Sequence, residues 1–302
     1  MRPAEVVTRA AGYLERHGVQ SPRANAEILL GTVLGADRSA LYARTEGLTA
    51  GESKALGRAL CRRCAGTPLQ HLTGEQGFRR VVLAVRPGVF VPRPETEVVV
   101  DVCLGAVDAA LASGIEAPIV VDACTGSGAI ALALKDERRF ARVFGTDLSA
   151  EAVSLARANG ARLGLEVEFL LGDLLEPLPP VLAGRVDLVV ANPPYVSATE
   201  YRAVPVEVRA DPRLAVVGGR ELYERFFAQA AARLRPGGTA VVEIAESRGR
   251  EVSGVAEARG FVVDRVVPDL NGRDRVVQAH PAAAVSDNPL ARTAAAVQKE
   301  GR

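Results

Sequence analysis

Histidine is scarce in this 302-residue chain, which holds only His17, His71 and His280. None stands near the glycine loop or the Asn-Pro turn described below, so chemistry that needs an imidazole to handle protons beside a nicotinamide is poorly supplied. Cysteine is scarce too: Cys61, Cys64, Cys103 and Cys124 are too few to form a disulfide framework for a chain of this size. Cys61-x-x-Cys64 has neither a second pair nor a nearby histidine, so its i,i+3 spacing reads as an ordinary helix pair and no metal site is expected. An excess of one charge is also missing. The 37 Lys and Arg against 36 Asp and Glu leave +1, so no global basic surface advertises nucleic acid as a partner. No apolar stretch is long enough to cross a bilayer, and Met1-Arg2-Pro3-Ala4-Glu5 lacks the apolar centre of a signal peptide. A cytoplasmic protein is expected, long enough to fold as two domains.

The early part of the chain reads as helical. Ser21-Pro22 supplies an N-cap followed by proline at the first helical position, and Ala26, Leu29, Leu30, Val33 and Leu34 recur at helical spacing. Ser39 and Thr49 offer further helix starts. These signals predict a small helical domain over residues 1–75. The pattern then turns to β: Val81 to Val85 and Val89 to Val91 flank Arg86-Pro87-Gly88, which predicts a β-hairpin connector within 76–92. From 93 to 281 strand and helix signals alternate, as in a doubly wound α/β sheet. Its later pieces are a helix from Leu222 to Leu234, a turn at Arg235-Pro236-Gly237-Gly238, a strand from Thr239 to Ile244, and a closing pair near Phe261–Val267 and Val276–Ala279. Residues 282–302 are polar and alanine-rich without a clear apolar face, and disorder is expected there.

The chemistry-bearing motif is Asn192-Pro193-Pro194-Tyr195, which closes the apolar run Val186 to Ala191. An amide or exocyclic amine nitrogen is a poor nucleophile because its lone pair is delocalised, so a catalyst must aim it and exclude water. The Asn192 side-chain oxygen and a carbonyl of the neighbouring prolines can accept the two N–H bonds of an -NH2 group as charge builds on nitrogen. Pro193 and Pro194 present carbonyls without an N–H to repel those hydrogens. Tyr195 can stack on a flat amide or base. Read alone, the tetrapeptide is equally a turn after a strand.

Upstream lies Asp122-Ala123-Cys124-Thr125-Gly126-Ser127-Gly128, between the apolar run Ile119-Val120-Val121 and the helical run Ala129 to Leu134. Gly126 and Gly128 allow a ligand close to the backbone, but Gly126-x-Gly128-x-x-Ala131 fits a dinucleotide fingerprint as well. Asp147 follows the run Val143 to Thr146, nineteen residues after Gly128. There it can accept both ribose hydroxyls of a nucleoside, or serve as a helix-start charge for Ser149-Ala150-Glu151. Asp173 follows the run Val167 to Leu171 and can accept an adenine amino group beside Leu174, or be a solvated Gly-Asp turn. The Asn-Pro-Pro-Tyr ending decides between cofactors, because hydride transfer has no use for an acceptor-rich clamp. The chain therefore reads as an S-adenosylmethionine-dependent amino-group methyltransferase.

These residues resemble the bacterial protein-(glutamine-N5) methyltransferases that modify peptide chain release factors, the HemK-like family. The likeness spans residues 1 to about 280 and is carried by Pro68-Leu69-Gln70-His71-Leu72-Thr73-Gly74, Pro92-Arg93-Pro94-Glu95-Thr96-Glu97, Thr125-Gly126-Ser127-Gly128, Asn192-Pro193-Pro194-Tyr195 and Asn271-Gly272-Arg273-Asp274-Arg275. The resemblance implies a Rossmann-like class I methyltransferase domain behind the helical domain. It implies cofactor contacts at Asp122, Thr125, Gly126, Gly128, Asp147, Leu148, Asp173, Leu174 and Asn192. The substrate amide would meet Asn192, Pro193, Pro194 and Tyr195, with Asn192, Pro193 and Tyr195 acting on it. Arg93, Pro94, Glu95 and Thr96 would border the pocket, although the same segment also reads as a stiff linker whose Glu95 or Thr96 starts the next helix. Two departures stand out. Cys124 replaces a glycine common in the family, and Gly218-Gly219-Arg220-Glu221-Leu222 lacks the usual Asp-Gly-Leu after the glycine pair. The expected partner is a release factor presenting a Gly-Gly-Gln loop. The alternatives are amino methylation of another protein or of nucleic acid, and cofactor binding without turnover.

Overall fold

The computed structural model describes residues 1–282; the expected disorder of the tail falls outside them from residue 283 on. Five helices come first: α1 (Pro3–Arg16), α2 (Pro22–Leu34), α3 (Arg38–Ala43), α4 (Ala50–Cys64) and α5 (Leu69–Thr73). They bury one apolar cluster, including Val7, Leu14, Leu29, Leu30, Leu41 and Leu56. Thr49 starts α4 through a reciprocal capping box: its hydroxyl accepts from the Glu52 amide at 3.2 Å, and the Glu52 carboxylate accepts from the Thr49 amide at 2.7 Å. The other two expected starts are corrected. Ser21 precedes α2 but sits in the left-handed region at φ 49° and makes no side-chain cap. Asn25 Nδ2 donates instead to the Gln20 and Ser21 carbonyls. Asp37, not Ser39, caps α3, accepting from the Ala40 amide at 2.8 Å.

A two-stranded hairpin follows, β1 (Glu75–Phe78) and β2 (Val81–Ala84). Its turn is Arg79-Arg80, which corrects the expected turn at Arg86-Pro87-Gly88. Arg79 adopts φ 51°, and distant partners hold it there. Its backbone amide donates to Glu97 at 2.9 Å, and its guanidinium reaches Glu137 at 2.5 Å and Asp101 at 2.7 Å. Val89 packs with Ala152 and Leu155 in a satellite cluster instead of pairing as a strand.

The remaining elements, in chain order, are α6 (Glu97–Ala112), β3 (Ile119–Ala123), α7 (Ala129–Glu137), β4 (Arg142–Asp147), α8 (Ala150–Leu163), β5 (Glu168–Leu171), β6 (Val186–Ala191), the single turns α9 (Val206–Arg209) and α10 (Arg213–Val216), α11 (Arg220–Arg233), β7 (Leu234–Glu243), α12 (Gly249–Ala258), β8 (Phe261–Pro268) and β9 (Asp274–Pro281). Seven strands form one sheet in the order β5-β4-β3-β6-β7-β9-β8, all running the same way except β9, which is antiparallel to both its neighbours. One core, with Ile130, Leu132, Leu134 and Val102, fills one face, and a second, with Tyr223, Phe226, Phe227 and Val252, fills the other. The expected Arg235–Gly238 turn is absorbed into β7 as an irregularity: partners jump from Val186↔Leu234 to Leu188↔Thr239, so the four residues loop out of the ladder. Chain order runs outward from β3 to β5 and then crosses to β6 on β3's other side, which makes the β3–β6 boundary the topological switch point where ligands settle in such sheets.

Candidate active site

At that switch point Ala123 pairs with Ala191, so the next residues of the two strands, Cys124 and Asn192, leave the sheet side by side. A cavity of about 480 Å³ opens there, within the range of pre-formed small-molecule sites. It is lined by twelve of the residues expected at the site: Arg93, Thr96, Thr125, Gly126, Asp147, Leu148, Asp173, Leu174, Asn192, Pro193, Pro194 and Tyr195. Asp122, Gly128, Pro94 and Glu95 do not line it.

The wall is built from the loop after β3. Asp122 is fully buried beneath it, where Oδ2 accepts from the Thr125 hydroxyl at 2.6 Å and the Ala131 amide at 3.1 Å. It thus fastens the loop to the start of α7 instead of facing a ligand. Burial raises its pKa to about 7. Gly128 serves packing, not ligand approach: at φ +86° an added Cβ would meet Leu132, Phe169 and Ala156 at 3.0–3.2 Å. Gly126, at φ +57°, would point a Cβ into open space, and its amide donates to Asp147 Oδ2 at 2.8 Å. Cys124 holds φ 58° with a side chain, the left-handed region in which the family's glycine is free of strain. Asn159 ties this loop to the hairpin, donating to the Ser127 carbonyl at 3.0 Å and accepting from the Ala84 amide at 2.8 Å.

Asp147 lines the cavity and is at the same time a helix-start acceptor, because Oδ1 takes the Ser149 amide at 2.9 Å. Asp147 therefore fills the helix-start role at a position that faces the cavity. Burial raises its pKa, against the backbone amides of Ser149, Gly126 and Leu148. Asp173 is not a merely solvated turn: it pairs with Arg225 of α11. Leu148 offers an exposed apolar surface to the cavity and Leu174 a buried one.

Across the cavity Asn192 Nδ2 donates to the Thr96 hydroxyl at 3.2 Å, which leaves Oδ1 as the amide atom for a ligand. Burial pushes the Tyr195 phenol up to about 12, so its ring stays neutral. Gly218 backs the turn so closely that an added Cβ would lie 1.9 Å from the Pro194 carbonyl oxygen. The segment after the turn is pinned at Val196, whose amide donates to Val216 and whose carbonyl accepts from Gly218. Arg93 donates to Asp211 at 2.5 Å, and the other Asp211 oxygen accepts from the Val91 amide at 3.2 Å. Arg93 also stacks 5.0 Å from the Phe90 ring centroid.

Sequence reasoning missed Asn159, Asp211 and Arg225. Their partners lie 32 to 120 positions away, and no local pattern signals such pairings.

Residues 5–74 match the family model for the PrmC N-terminal domain, and residues 120–210 match a methyltransferase domain. A release factor glutamine methyltransferase of Moorella thermoacetica is 39% identical over 91% of this chain and 97% of its own. One of Streptomyces coelicolor is 42% identical over 91% of this chain and 97% of its own. Among solved structures, a T. thermophilus 16S rRNA N2 G1207 methyltransferase in complex with AdoMet and guanosine aligns at TM-score 0.49 and 23% identity, over 68% of this chain and 49% of that one.

Proposed function

We propose that this chain, which belongs to the release factor glutamine methyltransferase family, methylates the side-chain amide nitrogen of a glutamine in a peptide chain release factor, within its Gly-Gly-Gln loop. The observation that carries the reading is the Asn192 amide beside the β3 loop, with Nδ2 engaged by Thr96 and Oδ1 left to accept.

S-adenosylmethionine, when bound, supplies the electrophilic methyl. Asp147 and Asp173 offer carboxylate acceptors for the ribose hydroxyls and the adenine amine, while Leu148 and Leu174 provide apolar surface for the ring. Asn192 Oδ1 and the Pro193 carbonyl would accept the two N–H bonds of the target amide, leaving its lone pair directed at the donor and stabilising positive charge as it develops on nitrogen. Tyr195 would cover the amide plane. Arg93, through Asp211, holds the segment beyond the turn against the linker.

The helical region over 1–75 would grip the protein substrate, since the domain over 93–281 already carries the cofactor and amide contacts and the hairpin within 76–92 joins the two. Remote contacts of that kind hold a flexible loop in a near-attack geometry. The reading places the protein in the cytoplasm with its substrate; among the described residues no helix is long and apolar enough to cross a membrane. Methylation of nucleic acid and binding without turnover are not favoured by the relatives.

The test is transfer of a labelled methyl from S-adenosylmethionine to a purified release factor. Asn192→Ala is expected to lower the rate by about a hundredfold or more, with cofactor affinity within a few-fold. Wild-type turnover in the folded variant would remove Asn192 from the chemistry, and cofactor binding without transfer by the wild type would leave a binding protein.

A further inference from the structure

We propose that Asp211 is a positioning residue for methyl transfer: by locking the loop after the Asn192–Tyr195 turn onto the linker ahead of α6, it fixes that turn from its far side. The proposal rests on the functional reading above. The loop starts and ends at one point, where the Val196 amide donates to the Val216 carbonyl at 3.1 Å and the Gly218 amide donates to the Val196 carbonyl at 2.9 Å. That root follows Tyr195 directly, and Gly218 lies against the Pro194 carbonyl, so a movement of the loop reaches the turn. Between its ends the loop brings Pro212, Leu214 and Ala215 to the cavity, and the linker brings Phe90, Pro92 and Arg93 to the same cavity. Asp211 joins these two walls.

The Asp211 side chain is only 1% exposed, and a carboxyl so buried is costly unless donors meet it. Both donors come from one short stretch of linker: the Val91 amide reaches one oxygen at 3.2 Å, and the Arg93 guanidinium reaches the other at 2.5 Å. Burial raises the pKa of this carboxyl, against the Arg93 charge and the Val91 amide. An apolar contact could slide, whereas a buried carboxyl with two fixed donors is satisfied in one register. The linker that carries those donors is stiff. Pro92 and Pro94 flank Arg93, which is extended at φ −101° and ψ 147°, and each proline fixes its own φ and restricts its predecessor. The guanidinium is oriented as well by its stack on Phe90. Two residues beyond Pro94 the same linker presents Thr96, whose oxygen accepts from Asn192 Nδ2 at 3.2 Å. One rigid segment thus grips the turn at both ends, at Asn192 through Thr96 and beyond Tyr195 through Asp211. The loop's tie from Glu200 to Arg248 at 3.2 Å is weaker, since Glu200 is 61% exposed there and exposed pairs contribute little.

Asp211→Asn, Arg93→Gln and the double variant test this in the full-length enzyme with an intact release factor, reading kcat, KM and the Kd of S-adenosylmethionine. Asp211→Asn keeps the shape of the side chain but gives up its charge and one acceptor. It should lower kcat about tenfold, with KM for the release factor and cofactor Kd each within a few-fold, because the β3 loop is braced separately by Asp122 and Asn159. Arg93→Gln acts on the same pair from its 30% exposed end, so it tests the brace even if Asp211→Asn does not fold, and it should lower kcat to a similar extent. In the double variant the second substitution should cost nothing further, because Arg93 works through Asp211. An arginine that touched the substrate itself would instead raise KM, or lose further rate in the Asp211→Asn background. Wild-type kcat in either single variant, a rise in KM with kcat kept, additive losses in the double variant, or a loss of cofactor affinity parallel to the loss of kcat would each overturn the positioning role. A wild-type chain inactive on release factors would overturn the functional reading and this role with it, whereas an active wild type matched by Asp211→Asn overturns the role alone.

Discussion

Two carboxyls carry much of the electrostatic strain of the site. Asp122 and Glu243 are buried, each with one oxygen lacking a hydrogen-bond partner. Burial raises Glu243 from its ordinary 4.5 to about 7, opposed by the Thr96 hydroxyl and Arg275 and helped by Glu95. Between those two values the folded chain keeps a proton that the unfolded chain has lost. Stability from this group is therefore full below pH 4.5 and declines as pH rises to about 7. Thermal unfolding of wild type and Glu243→Gln should show the gap shifting toward the variant across that interval. Parallel curves would mean that Glu243 titrates at its ordinary value. Removing the carboxyl would thus help the fold at neutral pH.

At the scale of elements, the turn after β6 depends on what stands behind it. Gly218 leaves no room for a side chain against the Pro194 carbonyl, so Gly218→Ala must push the turn or its own segment aside. A displacement of about 1 Å at a reacting centre can cost up to about a hundredfold in rate. The expected outcome is a large loss of kcat with cofactor Kd unchanged, because the β3 loop is braced separately by Asp122 and Asn159. An unaltered kcat, measured in steady state, would show that the turn tolerates the shift. The strands of the sheet were legible in the sequence because buried parallel strands are continuous apolar runs bounded by turns. The hairpin register was not, because Arg79 takes a left-handed conformation for the sake of Glu97, Asp101 and Glu137, and tertiary ion pairs outweigh local turn preference. Ser21 is the same case in miniature: its residue type fits a cap, but its backbone does not.

The whole molecule makes a site where two distant segments leave adjacent strands. Both were visible as motifs: the glycine loop and the Asn-Pro-Pro-Tyr turn. What ties the turn and the segment after it to the linker ahead of α6 was not visible, since Thr96 and Asn192 are 96 positions apart and Arg93 and Asp211 are 118 apart, and neither pairing has a period or spacing to betray it. Asp122 shows the converse, a motif residue that was legible but misplaced, since it braces the loop from behind. The near-neutral net charge fits a partner recognised by shape and specific contacts better than by a charged surface. The most direct test of the account is peptide mass mapping of a purified release factor after incubation with this protein and S-adenosylmethionine. The account predicts the mass of one added methyl on the glutamine of the Gly-Gly-Gln loop, and none when Asn192→Ala replaces the wild type; a release factor left unmodified by the wild type, or methylated at another residue, would contradict it.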